Sequence, residues 1–448
     1  MSTPPPPTPA PTPPKPPVPP PKPPVPPAAP AELTGFRSAL AHTGIPHSVL
    51  TYSPRLPSRN WLIFWSLSIS VTSLYIYDRR ECKKIKEETV KRVEKYGQEP
   101  LPGGSLGEPR RVKVWGGKWG GDEDTDRANR YFRKYVKPYL VAAGIDYDIP
   151  ANPLHGSIAR QLHASILALR RTSLSLDAPA PTLSLPGYNA SPLQKLQREV
   201  EGGVVIVGRA SLKEYLEGLR RGWEGGVDKW EWEQQVREQL AKDDLALFGP
   251  EDAAPAPAAT QNIPAHWHVP PIPLPPSPPI CLLPFTNHLG FFQLPNMIYD
   301  FFTERHKIQA GADAAISLIE GGVRDMTRED AEHWEESSEG YYNKMARTTK
   351  DRMQKARDDY YGELTKRIQG ARAYEMGERE MTDEEKKANK VTKIADLKEE
   401  RVKRELRWMG NEEGWDIVKP DTPATWRDNW EGWLKVYDLP ADVKENGL

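Results

Sequence analysis

The seventeen residues from Trp61 to Tyr77 contain no charged side chain. At about 1.5 Å per residue, a helix of that length reaches roughly 25 Å, the short end of a bilayer's hydrocarbon span. Trp61 and Trp65 stand at one end and Tyr75 and Tyr77 at the other, with Leu62, Ile63, Phe64, Leu67, Ile69, Val71, Leu74 and Ile76 between them. Aromatic rings with a polar edge favour the headgroup level. The pattern predicts a transmembrane helix. The competing reading is a buried core helix, and the interleaved Ser66, Ser68, Ser70, Thr72 and Ser73 favour it. The run lies too far from the N-terminus, behind too many prolines, for an ordinary cleaved signal peptide. Directly after it, Arg79, Arg80, Lys83 and Lys84 make a juxtamembrane basic segment. Such a helix can lie on anionic lipid or stand in solvent.

Elsewhere the chain reads as soluble. Its 61 basic and 62 acidic side chains balance, which excludes a global nucleic-acid footprint. Two cysteines, Cys82 and Cys281, cannot build a disulfide framework and show no metal-ligand spacing. His266 and His268 lie two apart in a Pro-rich stretch, but no third ligand is evident, so no metal site is expected.

Composition divides the chain in order. Residues 1–34 form a Pro-rich arm, expected to be disordered and extended. Residues 35–60 are a membrane-proximal segment, 61–77 the span, and 78–109 the basic helix and a Pro/Gly linker. Residues 110–325 alternate strand and helix patterns, with a Pro-rich insertion near 249–280. Strands are predicted at Arg111–Trp115, Ile145–Ile149, Gly203–Gly208 and Ile280–Phe285, the third continuously apolar as in a buried parallel sheet. Helices are predicted from about Asp124 to Ala143, His155 to Arg171, Ser211 to Arg221, over 224–247 and over 309–320. The apolar stretch from Phe291 to Phe302 is expected to pack as core or between domains, the alternative being contact with another membrane subunit or the bilayer surface. Residues 326–410 read as long charged helices, and 411–448 as a Trp-rich tail pinned to the domain. The fold class expected is a single-pass membrane protein with a soluble α/β domain, followed by long charged helices.

Several motifs carry a resemblance. The run from Pro54 to Asn60, the stretch opening Trp61 to Phe64, and Tyr77 to Glu81 resemble the fifty-four-kilodalton subunit family of the mitochondrial inner-membrane carrier translocase. Tyr135 to Gly144, Val207 to Leu216, Leu282 to Phe285 and Leu289 to Phe291 continue the likeness over roughly residues 35–325. The resemblance implies a non-enzymatic inner-membrane subunit with a large domain in the intermembrane space. It also implies partners: channel-forming and other membrane subunits, and small chaperones escorting multi-span cargo. One count opposes that topology. The basic excess follows the run (Arg79, Arg80, Lys83, Lys84, Lys86) rather than preceding it (Arg55, Arg59), which would place the C-terminal side in the matrix.

The order of elements in 110–300 also resembles the nucleotide-binding half of diacylglycerol-kinase-like lipid kinases, giving a kinase-like three-layer sheet. Gly116 and Gly117 then stand in the first phosphate loop, and Gly208 and Arg209 in the second. Both loops are altered. The second keeps a single glycine and lacks an acid, although close approach to phosphate needs glycine and a bound metal needs a carboxylate. Asp122, Glu123, Asp124 and Asp126 crowd the first loop and would repel an anionic ligand. Phe285 replaces a glycine of the third kinase motif. The loops are therefore read as vestigial, with no cofactor and no catalytic residue. An active membrane-anchored lipid kinase is the alternative.

Overall fold

A computed structural model describes residues 57–100, 109–177, 192–229, 231–248, 263–381 and 392–446. The Pro-rich arm, most of the membrane-proximal segment, the 101–108 linker and residues 249–262 of the insertion lie outside the described residues. The chain divides into two compact units, residues 1–70 and 71–448.

Helix α1, Arg59–Gly97, carries the charge-free run into the charged segment without a break. The expected membrane span is corrected here: no described helix is long and apolar enough to cross a membrane. The reason is chemical. Five of the seventeen uncharged residues are Ser or Thr and four are Trp or Tyr, and Arg59 and Asp78 close in on either side. In the first unit, Trp61, Leu62, Ile63, Phe64, Trp65, Leu67 and Ile69 are exposed. Trp61 and Trp65 stack one turn apart, 6.3 Å between centroids. In the second unit, Val71, Leu74, Ile76 and Tyr77 are exposed and Tyr75 is half-buried.

Beyond Tyr77 the helix packs into the core of the second unit. Asp78, Cys82, Ile85, Thr89 and Val93 recur at spacings of three and four and are all buried. The basic residues around them find carboxylates. Arg79 pairs with Glu304, Lys84 with Glu81 at 2.6 Å, and Lys83 with Glu87 at 3.6 Å, while Arg80 stays exposed.

Six strands form one sheet: β1 Arg111–Gly116, β2 Asp146–Asp148, β3 Val204–Val207, β4 Ile280–Leu283, β5 Gly322–Asp325 and β6 Lys435–Asp438. Their order is β2-β1-β3-β4-β6-β5. All neighbours run parallel except β5 against β6. The sheet is therefore mixed. Side chains alternate across a strand, so Val205, Val207, Cys281 and Leu283 face one layer and Val204, Ile206 and Ile280 the other.

The first layer holds α1 with α2 (Arg127–Tyr135), α3 (Lys137–Ala142) and α9 (Arg305–Glu320). The expected single helix over 124–143 is broken at Val136, because Pro138 has no N–H for the helical ladder and favours a first turn. The second layer holds α4 (Ser157–Ser173) and α6 (Gly208–Glu224), which also bury Trp430 of the tail. Helix α5, Pro192–Gly202, leads into β3.

The charged region does not extend as an isolated arm. Helices α12 (Thr349–Glu375) and α13 (Ile394–Val418) lie antiparallel: Lys350 meets Asp416, Arg357 meets Glu412 and Glu405, and Arg367 meets Glu400. With α7 (Trp232–Phe248) they enclose their own small core, including Tyr360, Leu364, Ile368, Leu397 and Trp408. Short helices complete the chain: α8 (Leu294–Phe302), α10 (Arg328–His333), α11 (Lys344–Arg347) and α14 (Ala441–Asn446).

Candidate functional site

In an open sheet of this kind, ligands bind outside the carboxyl ends of strands where the strand order reverses. That point lies between β1 and β3. It brings together the four loop residues singled out from the sequence. Gly116 and Gly117 leave β1, and Gly208 and Arg209 leave β3 into α6. Gly208 adopts φ +76°, which a side chain would strain.

Protein atoms fill the place a phosphate would take. The Gly117 amide donates to Ser211 Oγ at 2.7 Å, and that hydroxyl donates onward to the Val207 carbonyl at 2.5 Å. Arg209 is buried; its guanidinium donates to Glu339 Oε1 at 2.7 Å and to the carbonyls of Trp334 and Glu332 at 2.7 and 2.6 Å. Lys213 Nζ meets the same Glu339 oxygen at 2.5 Å. Burial pushes the Lys213 ammonium's pKa down, and Glu339 opposes that shift. Arg209 and Lys213 are therefore already matched inside the protein.

The opening itself is plugged by aromatic rings. Trp119 is buried and packs edge-on against Phe285 at 5.4 Å and Tyr342 at 4.9 Å. A Cβ at Gly120 would sit 2.8 Å from the Tyr342 ring, so glycine is what admits that ring. The acids after the loop serve the protein's own helix. Asp122 takes Arg127 at 2.7 Å and Asn287 at 2.9 Å, Asp124 takes Arg130 at 2.6 Å, and Asp126 takes Arg133 at 3.0 Å. Sequence reasoning found both loops but missed Ser211, Lys213, Glu339 and Tyr342, which close them.

Other candidates resolve similarly. His268 Nδ1 accepts the Val227 amide at 3.2 Å, and His266 is exposed. Among the described residues no group of three His, Cys, Asp or Glu side chains converges as a metal site. A cavity of about 970 Å³ opens at the amino ends of β1 and β3, lined in part by Arg110, Lys113, Trp115, Trp223 and Trp433. Arg110 is spent there on the Gly202 and Leu318 carbonyls and the Tyr437 hydroxyl.

The largest departure from expectation is the stretch Phe291 to Phe302. It is not core. The 3₁₀ turn Phe291–Gln293 and helix α8 contain no buried residue, and Phe291 and Phe292 are 82% and 83% exposed. The internal layers are already filled by α2, α3 and α9, so nothing remains for this face to cover.

The described residues thus form an α/β unit whose crevice between β1 and β3 is filled by its own side chains. Residues 38–266 match the family described as "Inner membrane protein import complex subunit Tim54". A relative from Cryptococcus neoformans var. neoformans (strain JEC21), "Mitochondrial import inner membrane translocase subunit TIM54", is 63% identical over 446 residues, covering 93% of this chain and 97% of the relative. Proteins of the same description from Neurospora crassa and Candida albicans are 34% identical over 193 residues and 24% identical over 358 residues. They cover 42% and 65% of this chain, and 40% and 85% of their own lengths. The chain belongs to the Tim54 family of inner-membrane protein import subunits, and it is a non-enzymatic component of mitochondrial import.

Proposed function

We infer that this chain is a scaffold of the inner-membrane translocase. In this reading its α/β unit faces the intermembrane space and its outer surfaces dock the small chaperones that escort multi-span proteins. The observation that carries the reading is the match to a translocase subunit along nearly the whole length of both chains. The filled crevice supports it, since Arg209, Lys213 and the Gly117 amide are spent on internal partners.

Protease access in isolated mitochondria tests the orientation. A tag at the C-terminus should be digested only after the outer membrane is ruptured. Protection after rupture would place the large unit in the matrix and remove the chaperone-docking role. Digestion in intact organelles would remove the inner-membrane assignment.

A further inference from the structure

We propose that α8 and its 3₁₀ turn form a lipid-docking surface that inserts side chains into one leaflet of an anionic bilayer. The inference rests on the inner-membrane assignment of the family, but not on chaperone docking or on orientation.

The first ground is apolar exposure in one place. Nine residues of Leu294–Phe302 supply Leu294, Met297, Ile298, Tyr299 and Phe301 to solvent, beside Phe291 and Phe292. The patch continues onto α1, because Tyr75 stacks on Phe301 at 5.5 Å and lies 6.2 Å from Phe302. Leu74 and Tyr77 flank it, 65% and 58% exposed. An apolar cluster of this kind rimmed by polar residues marks a docking surface.

The second ground is charge. Asp300 is the sole side chain charged at neutral pH in the Phe291–Phe302 sequence. It is only 17% exposed and is held by Lys307 Nζ at 2.7 Å, so it puts no free negative charge on the patch. Glu304 at its end is buried under Arg79 and Lys134. The rim is cationic. The Lys344 ammonium sits 4.8 Å over the Phe292 ring, and Arg347 is exposed on the same short helix. Arg305, three residues beyond Phe302, is exposed, and among the described residues no carboxylate pairs with it. Aromatic side chains under a cationic rim match an anionic headgroup layer over acyl chains. A neutral apolar partner helix would leave those cations unmatched.

The anchorage beneath is rigid. Arg79 donates to the Phe301 carbonyl at 3.2 Å, and the Asp78 carboxylate accepts the Glu304 amide at 3.0 Å. The patch is therefore fixed to α1 at both levels.

The test places an environment-sensitive fluorophore at position 292 of the full chain through Phe292→Cys. Cys82 and Cys281 are both buried, so labelling is selective. The probe is vesicles of phosphatidylcholine with phosphatidylglycerol, against phosphatidylcholine alone, with bromine-labelled acyl chains as quencher. On anionic vesicles the label is expected to shift to the blue and be quenched by lipid bromine. A second variant, Phe291→Ser with Phe292→Ser, is expected to lower vesicle binding about tenfold or more while leaving the unfolding midpoint unchanged. A label still in water on vesicle-bound protein would overturn the proposal, as would a blue shift without vesicles, which would instead mark contact between copies of the chain. Equal binding to neutral vesicles would overturn its electrostatic part. Failure here leaves the translocase reading standing, since that is read by co-isolation.

Discussion

Glu214 is the residue whose chemistry is least expected in a scaffold. It is wholly buried on α6, accepts the Ile158 amide at 3.1 Å, and leaves its other oxygen without a partner. Burial pushes its carboxyl up to about 7, against the lowering effect of the Gly156 and Ile158 amides and Arg160. The unfolded chain releases this proton from about pH 4.5 upward, whereas the folded chain keeps it until about 7. Stability from this group therefore falls as pH rises through that window and is level above it. Glu214→Gln should raise the thermal midpoint relative to the parent more at about pH 8 than at about pH 5. A pH-independent difference would show that the group does not titrate in the fold. His155 acts at the acid side. Burial, then Lys118 and Arg160, depress it to about 3, so the unfolded chain gains a proton below 6.5 that the folded chain refuses, and stability falls as pH drops. At Arg209, substitution by Ala leaves Glu339 buried with only Lys213 for a partner, and should cost roughly 3–5 kcal/mol in denaturant unfolding. A loss under about 1 kcal/mol would mean that water replaces the guanidinium.

At the scale of elements, α12 and α13 owe their place to a thin apolar stripe. Tyr360, Leu364, Ile368 and Ala371 recur at spacings of four, four and three, among charges that pair across to α13. Leu364→Ala should cost about 2–5 kcal/mol, appearing as faster hydrogen exchange in 349–375 and 394–418 while β1 and β3 stay protected. Uniform loss of protection would mean that the arm and the sheet unfold as one. Legibility follows the same physics. Strand β3 could be read because four consecutive β-branched residues, Val204 to Val207, are all buried. The sheet's far edge could not. Gly322–Asp325 is exposed throughout, and Lys435–Asp438 interposes one buried valine among polar neighbours, so neither has an apolar run to find. The charge-free run misled because its length suggested a span while its hydroxyls weakened it. Phe291 to Phe302 misled because apolar content speaks for burial, and only packing shows which face has nothing left to cover.

Over the whole molecule, the crevice between β1 and β3 is closed by side chains from distant parts of the chain. The loops were legible as Gly116, Gly117, Gly208 and Arg209. Their closure was not, because Glu339 lies 130 positions from Arg209 and no local pattern links them. The family match ends at residue 266, yet β4, β5 and β6 beyond it complete the same sheet. Millimolar ATP with magnesium should leave the thermal midpoint unchanged, since a ligand at a hundred times its Kd would stabilise by about 2.7 kcal/mol. An upward shift would show that the plug of Trp119, Phe285 and Tyr342 opens. The most direct measurement of the account as a whole is affinity isolation of the tagged chain from gently solubilised mitochondria, followed by native electrophoresis. The chain should migrate with the inner-membrane protein import complex, with no free pool of comparable size. Migration as a lone species, with import subunits absent from the eluate, would contradict it.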